Sequence, residues 1–167
     1  FLKACATHPT ERNRFAQLSR NRVRAVAAGP GVELDLTRDL ASLYETSPVG
    51  GPPGQPGYLN SAARLNTSLS AVELLEAMLA IETLLGRTRR ERWEARILDI
   101  DLLLFGDLVL SRPDLTLPHP RLHERRFVLE PLSELAPDLI HALAGVSVDA
   151  LTRTLRQASP ADTGRTK

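Results

Sequence analysis

The 167-residue chain holds 21 basic and 20 acidic residues, and a net charge of +1 does not suit a general nucleic-acid binder. With 43% hydrophobic and 25% charged residues it has the composition of one ordinary globular domain. No apolar run reaches the roughly 18 residues of a membrane span, no leader pattern is present, and the lone Cys5 forms no internal disulfide, so a reducing cytoplasmic setting is expected. The chain opens on Phe1 instead of Met, and its numbering is expected to start inside a longer product.

A helix is predicted over residues 10–28, with Thr10 as its cap, Phe15, Leu18, Val23 and Val26 as apolar positions, and Gly29-Pro30-Gly31 as its stop. Val32 to Thr37 alternates apolar and polar and predicts a strand, with pairing resumed near Leu43-Tyr44. SPVGGPPGQPG, residues 47–57, is too rich in proline and glycine for a regular element and reads as a functional loop. Residues 58–68 suit another strand. Ser70 and Glu73 then form a capping box in front of a helical stripe of Leu74, Leu75, Met78, Ile81 and Leu85, with Gly86 at the C′ position. An arginine-rich loop, 87–96, leads into a strand through Asp99 and Asp101. Phe105 to Leu108 predicts a hairpin turn into a short strand ending at Leu110, and Pro113 and Pro118 predict irregular chain over 112–120. Helices are expected around 121–135, ended before Pro137, and around 148–157. Residues 158–167 are expected to be a disordered tail behind a single domain, 1–157. Strands interleaved with helices but joined partly by hairpins predict an α+β sandwich, with helices on a mostly antiparallel sheet.

The stretch RILDIDLLLFG, residues 96–106, puts two carboxylates into an otherwise apolar strand. Side chains alternate along a strand, so Asp99 and Asp101 share one face while Leu98, Ile100 and Leu102 share the other. Their Cα atoms are then about 6–7 Å apart, close enough to share a cation or a close pair of cations. A sheet edge with one face in water is the alternative. Arg87, Arg89, Arg90, Arg92 and Arg96 crowd the loop just before the pair, and arginine suits bidentate recognition of phosphate, although a charged loop can also be simply solvated. Trp93 in that loop either stacks on a flat ligand or tucks back onto the body. His119 lies between two prolines, followed by Arg125 and Arg126, and is either structural or part of a site. Tyr58 and Asn60 share a strand face and could read the edge of a heterocycle. With no P-loop, GxGxxG, HExxH or Cys/His set, any phosphate chemistry here must use acidic metal ligands and arginines.

Taken in order between about Tyr44 and Leu155, the stretches YETSPVGG, YLN, IETLLGR, RERW with the following Arg96, LDIDLLLFG and LTLPHPRLHERRFVLEPL resemble the 6-hydroxymethyl-7,8-dihydropterin pyrophosphokinase family. The resemblance implies a ferredoxin-like α+β core. It also implies transfer of pyrophosphate from ATP to the pterin's hydroxymethyl group with release of AMP, in folate biosynthesis. On this resemblance Asp99 and Asp101 would hold two Mg2+ ions. Arg87 and Arg96 would be catalytic with them, and Arg89, Arg92, His119 and Arg125 would contact ATP phosphates. Leu102 and Thr116 match adenosine-side positions, and Thr46, Val49, Tyr58, Asn60, Trp93 and Phe127 match the pterin pocket. The expected partners are the two small substrates alone, with no nucleic acid or membrane, and the expected state is a monomer. Two other readings stay open: a relative that binds pterin or nucleotide without turnover, and a different metal-dependent nucleotidyl or phosphoryl transferase.

Two stretches depart from the family's pattern. Ala6-Thr7-His8-Pro9-Thr10 stands where the family has a glycine-containing Gly-Ser-Asn-Leu-Gly-like turn, and Glu94-Ala95 stands where it has Gly-Pro. Glu94 brings a negative charge toward the phosphates, and Ala95 leaves the loop less constrained. The hypothesis is weaker ATP binding without loss of chemistry. Restoring Glu94→Gly together with Ala95→Pro is expected to tighten ATP binding in a titration, and unchanged affinity would count against it.

Overall fold

The computed structural model describes residues 2–7, 31–33, 38–46, 57–84, 99–158 and 163–166. The predicted helix 10–28, the proline-glycine loop up to residue 56, Leu85, Gly86 and the arginine-rich loop lie outside these residues.

Among the described residues, five strands form one antiparallel sheet: β1 (Leu2–Thr7), β3 (Leu43–Thr46), β4 (Tyr58–Ala63), β6 (Asp99–Leu102) and β9 (Thr163–Thr166), in the order β6-β1-β4-β3-β9. The expectation of helices on an antiparallel sheet is met. Two short pairs stand beside it, β2 (Val32–Glu33) with β5 (Asn66–Thr67), and β7 (Leu110–Ser111) with β8 (Thr116–Leu117). The strand expected over 58–68 is therefore split between β4 and β5. Gly31, expected to stop a helix, turns the chain into β2 at φ +81°; a Cβ there would come within 2.5 Å of the Ser68 hydroxyl, so the turn needs glycine.

Helix α1 (Ala71–Leu84) opens with the predicted capping box. The Ser70 hydroxyl accepts the Glu73 N–H, and the Glu73 carboxylate accepts the Ser70 N–H at 2.8 Å. Its Leu74 and Met78 are buried with Leu102, Leu115 and Leu117 in one apolar cluster. A second cluster gathers Leu103, Leu104, Leu122, Val128, Leu129, Leu132 and Val148. Consecutive residues Leu102 and Leu103 enter different clusters. That explains the unbroken apolar run after Asp101, since the chain there is covered on both sides.

Four expectations need correction. The turn at Phe105–Leu108 forms, with the Leu108 N–H donating to the Phe105 carbonyl and Gly106 at φ +53°, yet it does not fold the chain back onto β6. It leads instead to β7, which pairs with β8 inside the stretch expected to be irregular. Pro113 sits in the connecting turn and Pro118 just past β8, where neither removes a ladder donor, while Leu115 and Leu117 point under α1. The tail expected to be disordered contains β9, which covers the edge that β3 would otherwise expose. The helix expected over 121–135 breaks into a 3-10 turn (Leu122–Glu124) and helix α2 (Arg126–Leu135), because Arg125 is extended at φ −118°, ψ 109°.

Carboxylates fasten α2 in place. Glu134 accepts hydrogen bonds from the Ser42 N–H and hydroxyl and from the Tyr44 hydroxyl at 2.8 Å, tying α2 to β3. Buried Glu130 joins Arg126 of α2 and Arg156 of helix α3 (Val148–Ala158), and Arg156 first, then Arg126, outweigh burial to hold its pKa below the usual carboxylate range.

His141, between α2 and α3, is buried edge-on to His123 with ring centres 5.8 Å apart, and its Nδ1 accepts the N–H groups of Leu143 and Ala144. Burial first, and His123 second, depress its pKa below the ordinary 6.5. The unfolded chain therefore takes up this proton first. The stability that His141 contributes is complete above pH 6.5 and is lost as pH falls through the depressed folded value. His141→Asn keeps an acceptor near Nδ1 but does not titrate. It is expected to flatten the fall in melting temperature between about pH 7 and 5, and equal slopes in both proteins would refute this role.

Candidate active site

The site is built on strand register. Asp99 of β6, Cys5 of β1, Asn60 of β4 and Tyr44 of β3 stand directly opposite one another, forming one row across the sheet. The next rows on that face hold Asp101 and Ala62 on either side of Lys3, and Thr7 and Thr46 on either side of Tyr58. Residues in opposed positions, and those two apart along a strand, share a face. Asp99, Asp101, Tyr58, Asn60 and Thr46 are therefore on the same side of the sheet. Ile100 and Leu102, on the other side, pack toward α1.

Arg125 lies within electrostatic reach of the aspartates. Burial first, and Arg121 second, lower its pKa, while Asp101, Glu124 and Asp99 act in the opposite direction. An arginine stays charged under such influences, so the half-buried guanidinium adds positive charge near the carboxylate pair. It lies 5.7 Å from the centre of the Phe127 ring, within cation–π range. The extended backbone at Arg125 makes this possible by taking the residue out of the helical course between Glu124 and Arg126. His119 donates its N–H to the Leu103 carbonyl at 2.8 Å, which lays the Pro-His-Pro segment along the chain leaving β6. Its Nδ1 accepts the Arg121 N–H, so a neutral ring carries its proton on Nε2.

Asn60 is 1% exposed. Its Nδ2 donates to the Thr46 hydroxyl at 2.9 Å, whereas its buried Oδ1 meets no donor among the described residues. An amide oxygen left so is costly in a folded chain, by about 1–3 kcal/mol.

Of the sequence-predicted residues, the sheet face and the start of α2 bring together Asp99, Asp101, Tyr58, Asn60, Thr46, Arg125 and Phe127. Leu102 is buried under α1, where only its backbone could meet a ligand. Thr116 is half-buried on β8, paired with Ser111. Arg87, Arg89, Arg92, Trp93, Arg96 and Val49 lie outside the described residues. One residue escaped the sequence reading. Glu82, also 1% exposed, accepts the Ile100 N–H at 2.7 Å, between the two aspartates. Its position four residues after Met78, on the apolar stripe of α1, was the available signal.

The fold has counterparts among solved structures. A crystal structure of a Plasmodium falciparum HPPK-DHPS variant with SDX-DHP superposes at a TM-score of 0.72 over 98% of this chain and 48% of that one, at 13% identity, a likeness of fold. The family model for 7,8-dihydro-6-hydroxymethylpterin-pyrophosphokinase matches residues 12–137, and the chain belongs to that family. Relatives named 2-amino-4-hydroxy-6-hydroxymethyldihydropteridine pyrophosphokinase include one from Synechocystis sp., 41% identical over 126 residues, and one from Pseudomonas aeruginosa, 47% identical over 100. These matches cover 75% and 60% of this chain, and it spans 62% and 61% of those relatives' lengths.

Proposed function

We propose that this protein transfers a pyrophosphoryl group from ATP to the hydroxymethyl group of 6-hydroxymethyl-7,8-dihydropterin and releases AMP. The observation that carries the reading is one sheet face that joins a carboxylate pair, within electrostatic reach of Arg125, to a buried amide acceptor that meets no donor among the described residues. Family membership and the names of the relatives support it further. The strand order β6-β1-β4-β3, with β1 antiparallel to both neighbours, supports a ferredoxin-like core within a single domain.

The donor set fits Mg2+. Asp99 and Asp101 offer hard oxygens from one face of a strand, and no group of three or more possible metal ligands occurs among the described residues. Mg2+ is commonly held by one or two carboxylates, with waters and substrate phosphates completing its shell. Bound there, two such ions would neutralise charge on the triphosphate. Arg125 and His119, with Arg87, Arg89, Arg92 and Arg96 of the preceding loop, bind and orient the phosphates. Asn60 Oδ1 accepts an N–H from the edge of the pterin ring. Thr46 holds the Asn60 amide, and Tyr58, Phe127, Val49 and Trp93 complete the pocket. Leu102 and Thr116 line the adenosine side. Positioning and charge neutralisation suffice for such a transfer, and no covalent nucleophile is required. In this reading the chain works as a monomer in the cytoplasm on diffusible substrates; no described helix is long and apolar enough to cross a membrane.

The test is a product assay with ATP, Mg2+ and the pterin. AMP and pterin pyrophosphate are expected in equal amounts, with a loss of about a hundredfold or more in Asp99→Ala and Asp101→Ala. ADP or inorganic pyrophosphate as the product would overturn the reading, and so would binding of both substrates with no AMP. Asn60→Leu is expected to weaken pterin binding by about tenfold to a hundredfold, consistent with the loss of one buried hydrogen bond. Binding of a non-hydrolysable ATP analogue and the melting temperature should stay close to wild type, and pterin affinity unchanged in this variant would remove Asn60 from the pocket.

A further inference from the structure

Glu82 is a carboxylate buried on the apolar stripe of α1, where an unpaired charge is disfavoured, and its Oε1 receives the Ile100 N–H at 2.7 Å. Ile100 is the residue between the aspartates on β6, and among the described residues β6 is an edge of the sheet, paired only with β1. Successive N–H groups on a strand point to opposite sides, so Glu82 takes the N–H that faces away from β1. The carboxylate thus stands where a further strand would otherwise fasten this edge. Ile100 also packs against the cluster below α1, so the strand is held by its apolar side and by its outer N–H at the same residue.

We propose that Glu82 is a positioning residue for the metal ions. By holding Ile100 from the outer edge, it sets the spacing and direction in which Asp99 and Asp101 present their carboxylates. The inference rests on the Mg2+-dependent reading of this site. Metal affinity falls steeply when groups that orient the ligands are lost, whereas a bond that only closed a sheet edge would leave metal affinity unchanged.

The test uses the whole chain, with Mn2+ as the probe in the presence of a non-hydrolysable ATP analogue and bound ion counted by electron paramagnetic resonance. Glu82→Met lacks an acceptor, and Glu82→Asp keeps the charge but is one methylene too short to reach the N–H. Both are expected to weaken Mn2+ binding by about tenfold, while pterin affinity is unchanged. Glu82→Gln keeps the acceptor and is expected to bind Mn2+ like the wild type. Wild-type Mn2+ affinity in Glu82→Asp overturns the proposal, even if Glu82→Met fails to fold. Weakening in Glu82→Gln equal to that in Glu82→Asp also overturns it, because the charge and not the hydrogen bond would then be responsible. A wild type that binds Mn2+ with the analogue but makes no AMP overturns only the proposed activity. A wild type that binds no Mn2+ overturns both.

Discussion

The register of β1 against its two neighbours is the constraint on which the site depends. β1 pairs with β6 on one side and β4 on the other, and Cys5 stands opposite both Asp99 and Asn60. A slip of one residue in either ladder would turn a whole strand over. In β6 it would send the aspartates toward α1 and the apolar Ile100 and Leu102 out onto the opposite face. The apolar cluster under α1 therefore fixes the side the carboxylates take, because it accepts only the register in which they face the other way.

The second determinant is where the helices are fastened. Arg125 and Phe127 sit at the start of α2, and α2 is held by Glu134 to β3 and by Glu130 to α3. Exposed ion pairs such as Arg112 with Asp114 add little, but Glu130 is buried, and losing it would strand positive charge between two helices. Through these anchors the helix layer keeps Arg125 within electrostatic reach of a carboxylate pair supplied by the sheet. Neither layer holds the site alone. Asn60 adds a buried acceptor that meets no donor among the described residues, at an energetic cost to the folded chain.

Features legible in the sequence are those that depend on neighbours along the chain. The capping box at Ser70 and Glu73, the stripe of Leu74 and Met78, the two C-terminal helices and the shared face of Asp99 and Asp101 follow from helix and strand periodicity. Motif order alone was enough to suggest the family. The errors lie where distant segments decide. TGRT has no apolar alternation and becomes a strand only because β3 offers unpaired backbone groups. The β7–β8 hairpin forms between two prolines because Leu115 and Leu117 find the underside of α1. The break at Arg125 could not be read from a continuous helical pattern, since it depends on Leu122 and Val128 entering the same cluster from different elements.

By itself the sequence determined the chemical inventory: two carboxylates on one strand face, a nearby supply of arginines, and an amide and rings suited to a flat heterocycle. Alternation along a single strand is a local property and needs no knowledge of partners. Only the tertiary structure decided that Asn60 lies in the same row as Asp99, that Arg125 leaves its helical course within electrostatic reach of the pair, and that Glu82 reaches the outer edge of β6. Those three facts depend on pairing and packing between segments from 18 to several tens of residues apart. Contacts at such separations are selected by burial of the whole core and not by any local pattern.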